Sequence, residues 1–79
     1  MADIKPDKTE DLKGLNCPMP VLKTKKALET LAPGQVLRVD LTDLGSKKDI
    51  PAMLKRTGNE LIEMKENGGV ITFFIKKGQ

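Results

Sequence analysis

The chain has 79 residues, with 14 basic and 11 acidic side chains, a net charge of +3, a single cysteine and no histidine. This composition excludes an internal disulfide, the common zinc ligand sets and the Cys–His and Ser–His pairs of nucleophilic enzymes. A chain this short folds as one domain that buries about 60% of its unfolded surface, which leaves little room for a large substrate pocket. We therefore expect a carrier or adaptor, without metal or cofactor, rather than a self-contained enzyme.

The first predicted elements are a strand and a helix. Residues 9–15 form a short, weakly patterned strand that ends at Gly14 and Asn16. From residue 18 to about residue 31 the apolar side chains recur with the period of a helix, which Pro33-Gly34 ends. The predicted buried stripe of this helix consists of Val21, Thr24, Leu28 and Leu31, flanked by Ala27.

The middle of the chain predicts a second strand and a second helix. In residues 35–42, Leu37, Val39 and Leu41 alternate with polar residues, as in a strand with one buried face. After a turn at residues 43–46, Ser46 is the expected N-cap, with Asp49 as the acid of a capping box. Residues 57–59 end this helix, and Pro51 is tolerated if it lies in the first turn. The apolar stripe of the helix is Ile50, Met53, Leu54 and Thr57.

The last two predicted strands form a hairpin. Residues 60–65 and 70–76 alternate apolar and polar side chains, and Asn67-Gly68 between them is a strong turn signal. The order β-α-β-α-β-β predicts an α/β two-layer sandwich, in which a four-stranded mixed sheet carries two helices on one face. The opposite face is expected to be wetter, with Arg38, Asp40, Glu63 and Lys65.

Three further expectations concern organisation, location and nucleic acids. Residues 1–8 are predominantly polar, without the apolar core of a signal peptide, and no stretch reaches the roughly 20 apolar residues of a membrane helix. We therefore expect a flexible tail at residues 1–8, a single domain at residues 9–79, and a cytoplasmic protein without membrane contact.

Phe73 and Phe74, the only aromatic residues, would point to opposite faces of a strand, so stable binding of nucleic acid is not expected.

The candidate chemistry lies in the segment Gly14-Leu15-Asn16-Cys17-Pro18-Met19-Pro20. Two prolines damage a helix interior but are harmless in its first turn, so the segment predicts a helix start. If Pro18 is the first helical residue, Cys17 is the N-cap, and its sulfur lies near the positive end of the helix dipole and a free N–H of Met19. That field stabilises the thiolate, which is the nucleophilic form of cysteine.

An alternative is that Cys17 is a small buried apolar residue, because free cysteine is among the most buried residue types. Asn16 and the proline pair favour a loop-to-helix junction instead, and hence a reactive thiol. Lys13 and Lys23 would add positive charge if their side chains fold back toward the loop, and with Lys26 they are candidates for charge support or docking.

The same residues resemble a known family. The run from Asp11 to Pro20 is similar to the Cys-Pro-x-Pro hallmark of the TusA/SirA-like sulfur carriers, and the similarity extends to about Gly78. Later matching segments are Pro33-Gly34, residues 43–46, residues 49–51 and residues 57–61. Three positions depart from the family: Lys13 replaces the usual arginine, Leu44 a frequent proline, and Leu54 a second cysteine found in some members.

The resemblance implies a βαβαββ fold and a persulfide on Cys17, in a sulfurtransferase-type carrier rather than an independent enzyme. Such carriers accept sulfur from a cysteine desulfurase or a rhodanese-type sulfurtransferase and deliver it to tRNA thiolation, molybdenum cofactor synthesis or sulfur oxidation. We expect a monomer when free. Two alternatives remain at this point: a non-catalytic regulatory or protein-interaction module in which the motif only sets the helix start, and a small RNA-binding domain, which the scarcity of aromatic residues disfavours.

Overall fold

The computed structural model describes residues 5–16 and 18–78; residues 1–4, Cys17 and Gln79 lie outside this description. The described residues form four strands and two helices in the predicted β-α-β-α-β-β order. In chain order these are β1 (Lys8–Leu12), α1 (Met19–Glu29), β2 (Val36–Leu41), α2 (Ser46–Thr57), β3 (Glu60–Asn67) and β4 (Val70–Lys76).

The four strands form one mixed sheet in the order β1-β2-β4-β3. β1 pairs with β2 in parallel, whereas β4 is antiparallel to both of its neighbours, β2 and β3. β3 therefore runs parallel to β2, so the chain makes two crossovers, one through each helix. This arrangement confirms the predicted mixed sheet with two helices.

Both helices lie on the same face of the sheet and enclose the core between the two layers. From the sheet, Leu37, Val39, Leu41, Ile71, Phe73 and Ile75 are fully buried, and from the helices Leu28, Ile50, Met53 and Leu54 are almost fully buried. Thr24 is buried and Ala27 nearly so, whereas Val21 and Leu31 are half-buried against this cluster. The predicted stripes therefore form the core, except that Thr57 is exposed and its hydroxyl donates to the backbone carbonyl of Met53.

The opposite face of the sheet, which we call the open face, carries the predicted polar residues. Phe74 lies here and Phe73 in the core, because successive strand residues point to opposite faces. Along β3 the alternation predicted from Ile62 and Met64 is interrupted by a bulge between Leu61 and Glu63, which leaves Ile62 without a partner on β4. Ile62 and Met64 are both exposed.

The start of α2 differs from the prediction. Gly45, not Ser46, is the N-cap, and the carboxylate of Asp43 accepts hydrogen bonds from Gly45 N (3.4 Å) and Ser46 Oγ (3.1 Å). Ser46 is consequently the first helical residue, and its side chain is buried. Pro51 falls inside the helix rather than in its first turn, where it cannot donate a hydrogen bond to the carbonyl four residues earlier. Gly58 ends the helix as predicted, with a φ of +77°.

Element boundaries shift by a few residues elsewhere. β1 ends at Leu12 rather than at residue 15, α1 ends at Glu29, and β3 extends to Asn67. The hairpin loop is therefore Gly68-Gly69, with Asn67 paired to Val70. At the start of the described chain, Asp7 N–H donates to Val36 C=O and Lys8 belongs to β1, so both join the sheet. The tail predicted at residues 1–8 otherwise stays a prediction.

Among the described residues, neither helix is long and apolar enough to cross a membrane.

Candidate functional site

The motif lies at one edge of the sheet, where the parallel strands β1, β2 and β3 end. Each of the two helices begins just after one of these strand ends, so both helix N-termini lie at the same edge. In parallel α/β architectures, ligands and reactive groups concentrate at this edge, because loops leave the sheet there and helix dipoles point their positive ends toward it. We call it the motif edge, comprising residues 13–16, 18–20 and 42–47.

The loop of residues 13–16 is attached to β2 by one hydrogen bond. Gly14 N–H donates to the Thr42 hydroxyl at 2.9 Å, which joins the loop after β1 to the end of β2. Gly14 adopts a φ of +85°, a backbone conformation that residues other than glycine rarely adopt. Leu15 then packs against the core. The loop is therefore held at both its backbone and its apolar side chain before the chain reaches Cys17.

The helix starts one residue later than the sequence predicts. Met19 is the first helical residue and Pro18 is the N-cap, whose carbonyl accepts the first helical hydrogen bond from Leu22 N–H at 3.1 Å. The prediction that the Met19 N–H is free is wrong, because this N–H donates to Asn16 C=O at 2.9 Å. The tight turn across residues 16–19 uses this amide. Because Pro18 is the N-cap, the prediction that Cys17 holds this position is wrong. The conformation of Cys17 itself lies outside the described residues.

The first turn of α1 is fixed from the core side. Pro20 is buried, and the hydroxyl of the buried Thr24 donates to its carbonyl at 2.7 Å. Both prolines lack an N–H, so neither leaves an unsatisfied amide in the first turn. The proline pair and Thr24 together fix where the helix begins, and the buried Pro20 and Thr24 pack this first turn toward the core.

On the solvent side, the same turn carries no compensating negative charge. Among the described residues, no side chain caps α1 by a hydrogen bond, and no acidic residue stands in its first turn. Pro18 is exposed, as are Met19 (40%) and Leu22 (48%). The first turn of α1 thus exposes apolar side chains and has no described carboxylate that would offset the positive end of the helix dipole, a setting that favours an anion over a neutral group.

The three candidate lysines lie on two different surfaces. Lys13 lines a depression on the open face, and its ammonium is 3.9 Å from Asp11 Oδ1. Lys23 and Lys26 line a groove between α1 and β1 together with Lys8 and Glu10. The structure therefore does not bring Lys13 together with the other two, and a contribution of any of them to the charge near Cys17 stays a prediction.

Sequence reasoning missed one residue that holds the site, Thr42. The sequence places Thr42 at the end of a strand, and its hydroxyl bond to Gly14 spans 28 positions, so no local pattern reveals it. At residues 43–46 the predicted turn is present, and the Asp43 carboxylate accepts the hydrogen bonds that close it. Leu44, which departs from the family pattern, is 66% exposed at the same edge.

A metal centre has no support in the described part of the chain, where no group of three or more cysteine or acidic side chains is positioned to hold a metal ion.

Comparisons with known proteins identify a family that covers nearly the whole chain. The family model described as sulfurtransferase TusA matches residues 8–77. The chain is 54% identical over 77 residues to the sulfur carrier protein TusA of Allochromatium vinosum, covering 98% of this chain and 99% of that protein. It is 38% identical over 77 residues to the sulfur carrier protein TusA of Pseudomonas putida strain GB-1, covering 98% and 96%.

A solved structure is similar as well. The crystal structure of the SirA-like protein from Desulfitobacterium hafniense superposes with a TM-score of 0.79 at 32% identity, covering 91% of this chain and 99% of that one. The family match at residues 8–77 spans both crossovers and the hairpin. The chain therefore belongs to the TusA family of sulfur carriers.

Proposed function

We propose that Cys17 is the sulfur-carrying residue of this chain, that it accepts sulfane sulfur as a persulfide, and that it relays this sulfur to an acceptor protein. The observation that carries the proposal is the start of α1 immediately after Cys17. Its first turn has no acidic residue and no side-chain cap among the described residues, and it begins at Met19, two residues after Cys17. A persulfide is anionic at neutral pH, so this end of a helix favours the loaded state.

The transfer needs no cofactor, because each step is an exchange at sulfur. The Cys17 thiolate attacks the outer sulfur of a donor persulfide, a new S–S bond forms, and the donor leaves as a thiolate. Delivery reverses these roles: a nucleophile of the acceptor attacks the outer sulfur, and Cys17 leaves as a thiolate. Atoms and electrons balance in both steps.

The composition decides how the sulfur can leave. Cys17 is the only cysteine, and Leu54, which is buried in the core, stands where some family members have a second one. The chain therefore has no second thiol that could expel the sulfur as an internal disulfide. Release requires a nucleophile from another molecule, which suits a relay between proteins.

For the donor, we propose a cysteine desulfurase or a rhodanese-type sulfurtransferase. For the acceptor, we propose a protein of tRNA thiolation, molybdenum cofactor synthesis or sulfur oxidation. We place the protein in the cytoplasm, where such donors operate and a lone thiol stays reduced.

Intact-mass measurement tests the sulfur proposal. The protein is incubated with a cysteine desulfurase and cysteine, or with a rhodanese and thiosulfate, and its mass is recorded before and after reduction. We expect a gain of one sulfur atom that reduction removes and that Cys17→Ser abolishes. Circular dichroism of Cys17→Ser checks that the variant retains the fold. Absence of the gain with both donors, or its persistence in Cys17→Ser, would contradict the proposal.

The second candidate is a protein-interaction module in which the motif only fixes the helix start. The observation that favours it is the exposure of three large apolar side chains: Met19 and Leu44 at the motif edge and Leu22 in the first turns of α1. Under this alternative, Cys17→Ser leaves cellular function intact, whereas a sulfur carrier loses it. Complementation of a deletion strain by the variant separates the two.

A further inference from the structure

The open face of the sheet contains a depression of about 350 Å³ that the sulfur chemistry of Cys17 does not use. Strands β2, β3 and β4 form its floor, and Lys13, at the end of β1, reaches it from the motif edge. Its described lining includes three cations and one carboxylate, together with a hydroxyl and an aromatic ring: Lys13, Arg38, Lys65, Asp40, Thr72 and Phe74.

The carboxylate in the lining of this depression, Asp40, already accepts hydrogen bonds from neighbouring side chains. Asp40 Oδ1 accepts a hydrogen bond from the Thr72 hydroxyl at 2.6 Å and one from Arg38 Nε at 3.3 Å. These bonds fix the carboxylate along the floor, with its side chain only 15% exposed. Asp40 is therefore positioned to orient Arg38 rather than to meet a ligand.

The cations, in contrast, keep hydrogen-bonding capacity. Lys13 Nζ is 3.9 Å from Asp11 Oδ1 and Lys65 Nζ is 3.7 Å from Glu63 Oε2, both too long for a hydrogen bond. By comparison, the ion pair between Lys47 and Glu66 is 2.7 Å. The two lysines thus form loose, exposed ion pairs with these carboxylates and donate no hydrogen bond to them, so a carboxylate of a partner can compete for the ammonium groups.

Two of the cations lie beside the ring of Phe74. Arg38 Cζ and Lys65 Nζ are each 5.8 Å from the centroid of the Phe74 ring, within the range of a cation–π contact. Phe74 is only 7% exposed. A flat aromatic surface for base stacking is therefore not available here, whereas donors for carboxylates are.

We propose that the open face is a docking surface for an acidic segment of a partner protein. Its carboxylates pair with Lys13, Arg38 and Lys65, while the depression accepts the stems of the acidic side chains. The volume of the depression, about 350 Å³, exceeds what a single small oxyanion fills, so a peptide segment suits it better than a free anion. This surface is separate from the persulfide chemistry and does not depend on it.

Lys13 connects the depression on the open face to the motif edge. Lys13 directly precedes Gly14, whose amide is bonded to Thr42 at the motif edge. A segment lying along the depression and ending at Lys13 therefore brings the rest of its protein to the edge that carries the motif.

Matched double variants test the proposal. Lys13→Gln/Lys65→Gln removes two cations whose side chains are 49% and 60% exposed, so the fold should tolerate the change. Lys48→Gln/Lys55→Gln removes two exposed cations from α2, in the helix layer behind the sheet, and has the same net charge. The probe is a fluorescent peptide of alternating glutamate and serine residues, titrated into the reduced full-length protein and followed by anisotropy.

We expect the open-face variant to weaken peptide binding about tenfold and the α2 variant to change it less than about twofold. In the ¹⁵N-labelled protein, the peptide should shift the amide signals of Thr72 and Phe74 more than those of Ala27 and Thr30. Equal weakening by both variants would overturn the proposal, since only net charge would then matter. Tighter, site-matched binding of a single-stranded oligonucleotide, or full competition by equimolar sulfate, would overturn it too.

Discussion

The two helices begin at the same edge of the sheet but are stabilised in opposite ways. The start of α2 is closed by its own carboxylate, because Asp43 accepts hydrogen bonds from Gly45 and from the buried Ser46. The start of α1 has no acidic residue in its first turn and is fixed from the core side, through Pro20 and Thr24. A helix end that already holds a carboxylate has little attraction left for another anion, whereas one stabilised from within keeps its field available.

The difference shows how a small chain separates stability from function. At α2 the dipole and the orphan amides contribute to folding. At α1 the prolines remove amides that would need partners, and the threonine supplies the anchoring bond. The fold can then leave the positive end of α1 beside the sulfur-carrying residue that we propose. Four substitutions break or sharpen this comparison.

The largest expected effect is on stability at α2. Asp43→Ala removes the acceptor of the buried Ser46 hydroxyl and should lower the free energy of unfolding by about 2 kcal/mol. Urea denaturation measures the loss. Asp43→Asn, which keeps one oxygen acceptor, should lose less, and sulfur loading at 25 °C should be unchanged in both variants. A loss of loading in folded Asp43→Asn would mean that the two helix starts are not independent.

The next substitution gives the first turn of α1 an acidic side chain, as the first turn of α2 already has. Met19→Glu places a carboxylate in the exposed first turn, where it opposes the anionic thiolate and persulfide, and should slow sulfur loading about tenfold. Single-turnover loading followed by intact mass measures the rate. Met19→Gln, of similar size and without charge, is the control. If both variants load at the original rate, the field of α1 does not act on the cargo.

A smaller effect is expected from the internal anchor of α1. Thr24→Val keeps the shape of the side chain but removes the hydroxyl that donates to Pro20 C=O, and should cost about 1 kcal/mol of unfolding free energy. Chemical denaturation measures it, with Thr24→Ser as the variant that retains the hydroxyl. A valine variant as stable as the original protein would show that the prolines alone hold the first turn.

The smallest effect is expected from the surface pair that joins α2 to β3. Lys47 Nζ and Glu66 Oε1 are 2.7 Å apart, but both side chains are about 40% exposed. Lys47→Gln should therefore cost at most about 0.5 kcal/mol, and the cost should disappear at high salt. A loss of more than 1 kcal/mol that persists in high salt would assign this pair a structural role like that of Asp43.

Much of the fold was readable because its signals are local. The alternation of Leu37, Val39 and Leu41 and the helical spacing of Ile50, Met53 and Leu54 each follow from one face being buried. The motif likewise marked a helix start, because two prolines are compatible only with the first turn. The boundaries were less accurate: Pro18 is the N-cap rather than the first helical residue, since the turn from Asn16 to Met19 is tight enough to use the Met19 amide.

What the tertiary structure alone decided depends on contacts between distant positions. The bond from Gly14 to Thr42, the bulge at Ile62 and the separation of Lys13 from Lys23 and Lys26 have no local signature. By itself, the sequence determined the order of elements, the faces of β2 and α2 that are buried, and the proline motif that starts α1, because periodicity and proline chemistry act within one turn or one strand. The sheet pairing decided which charges share a surface, because that depends on which strands become neighbours.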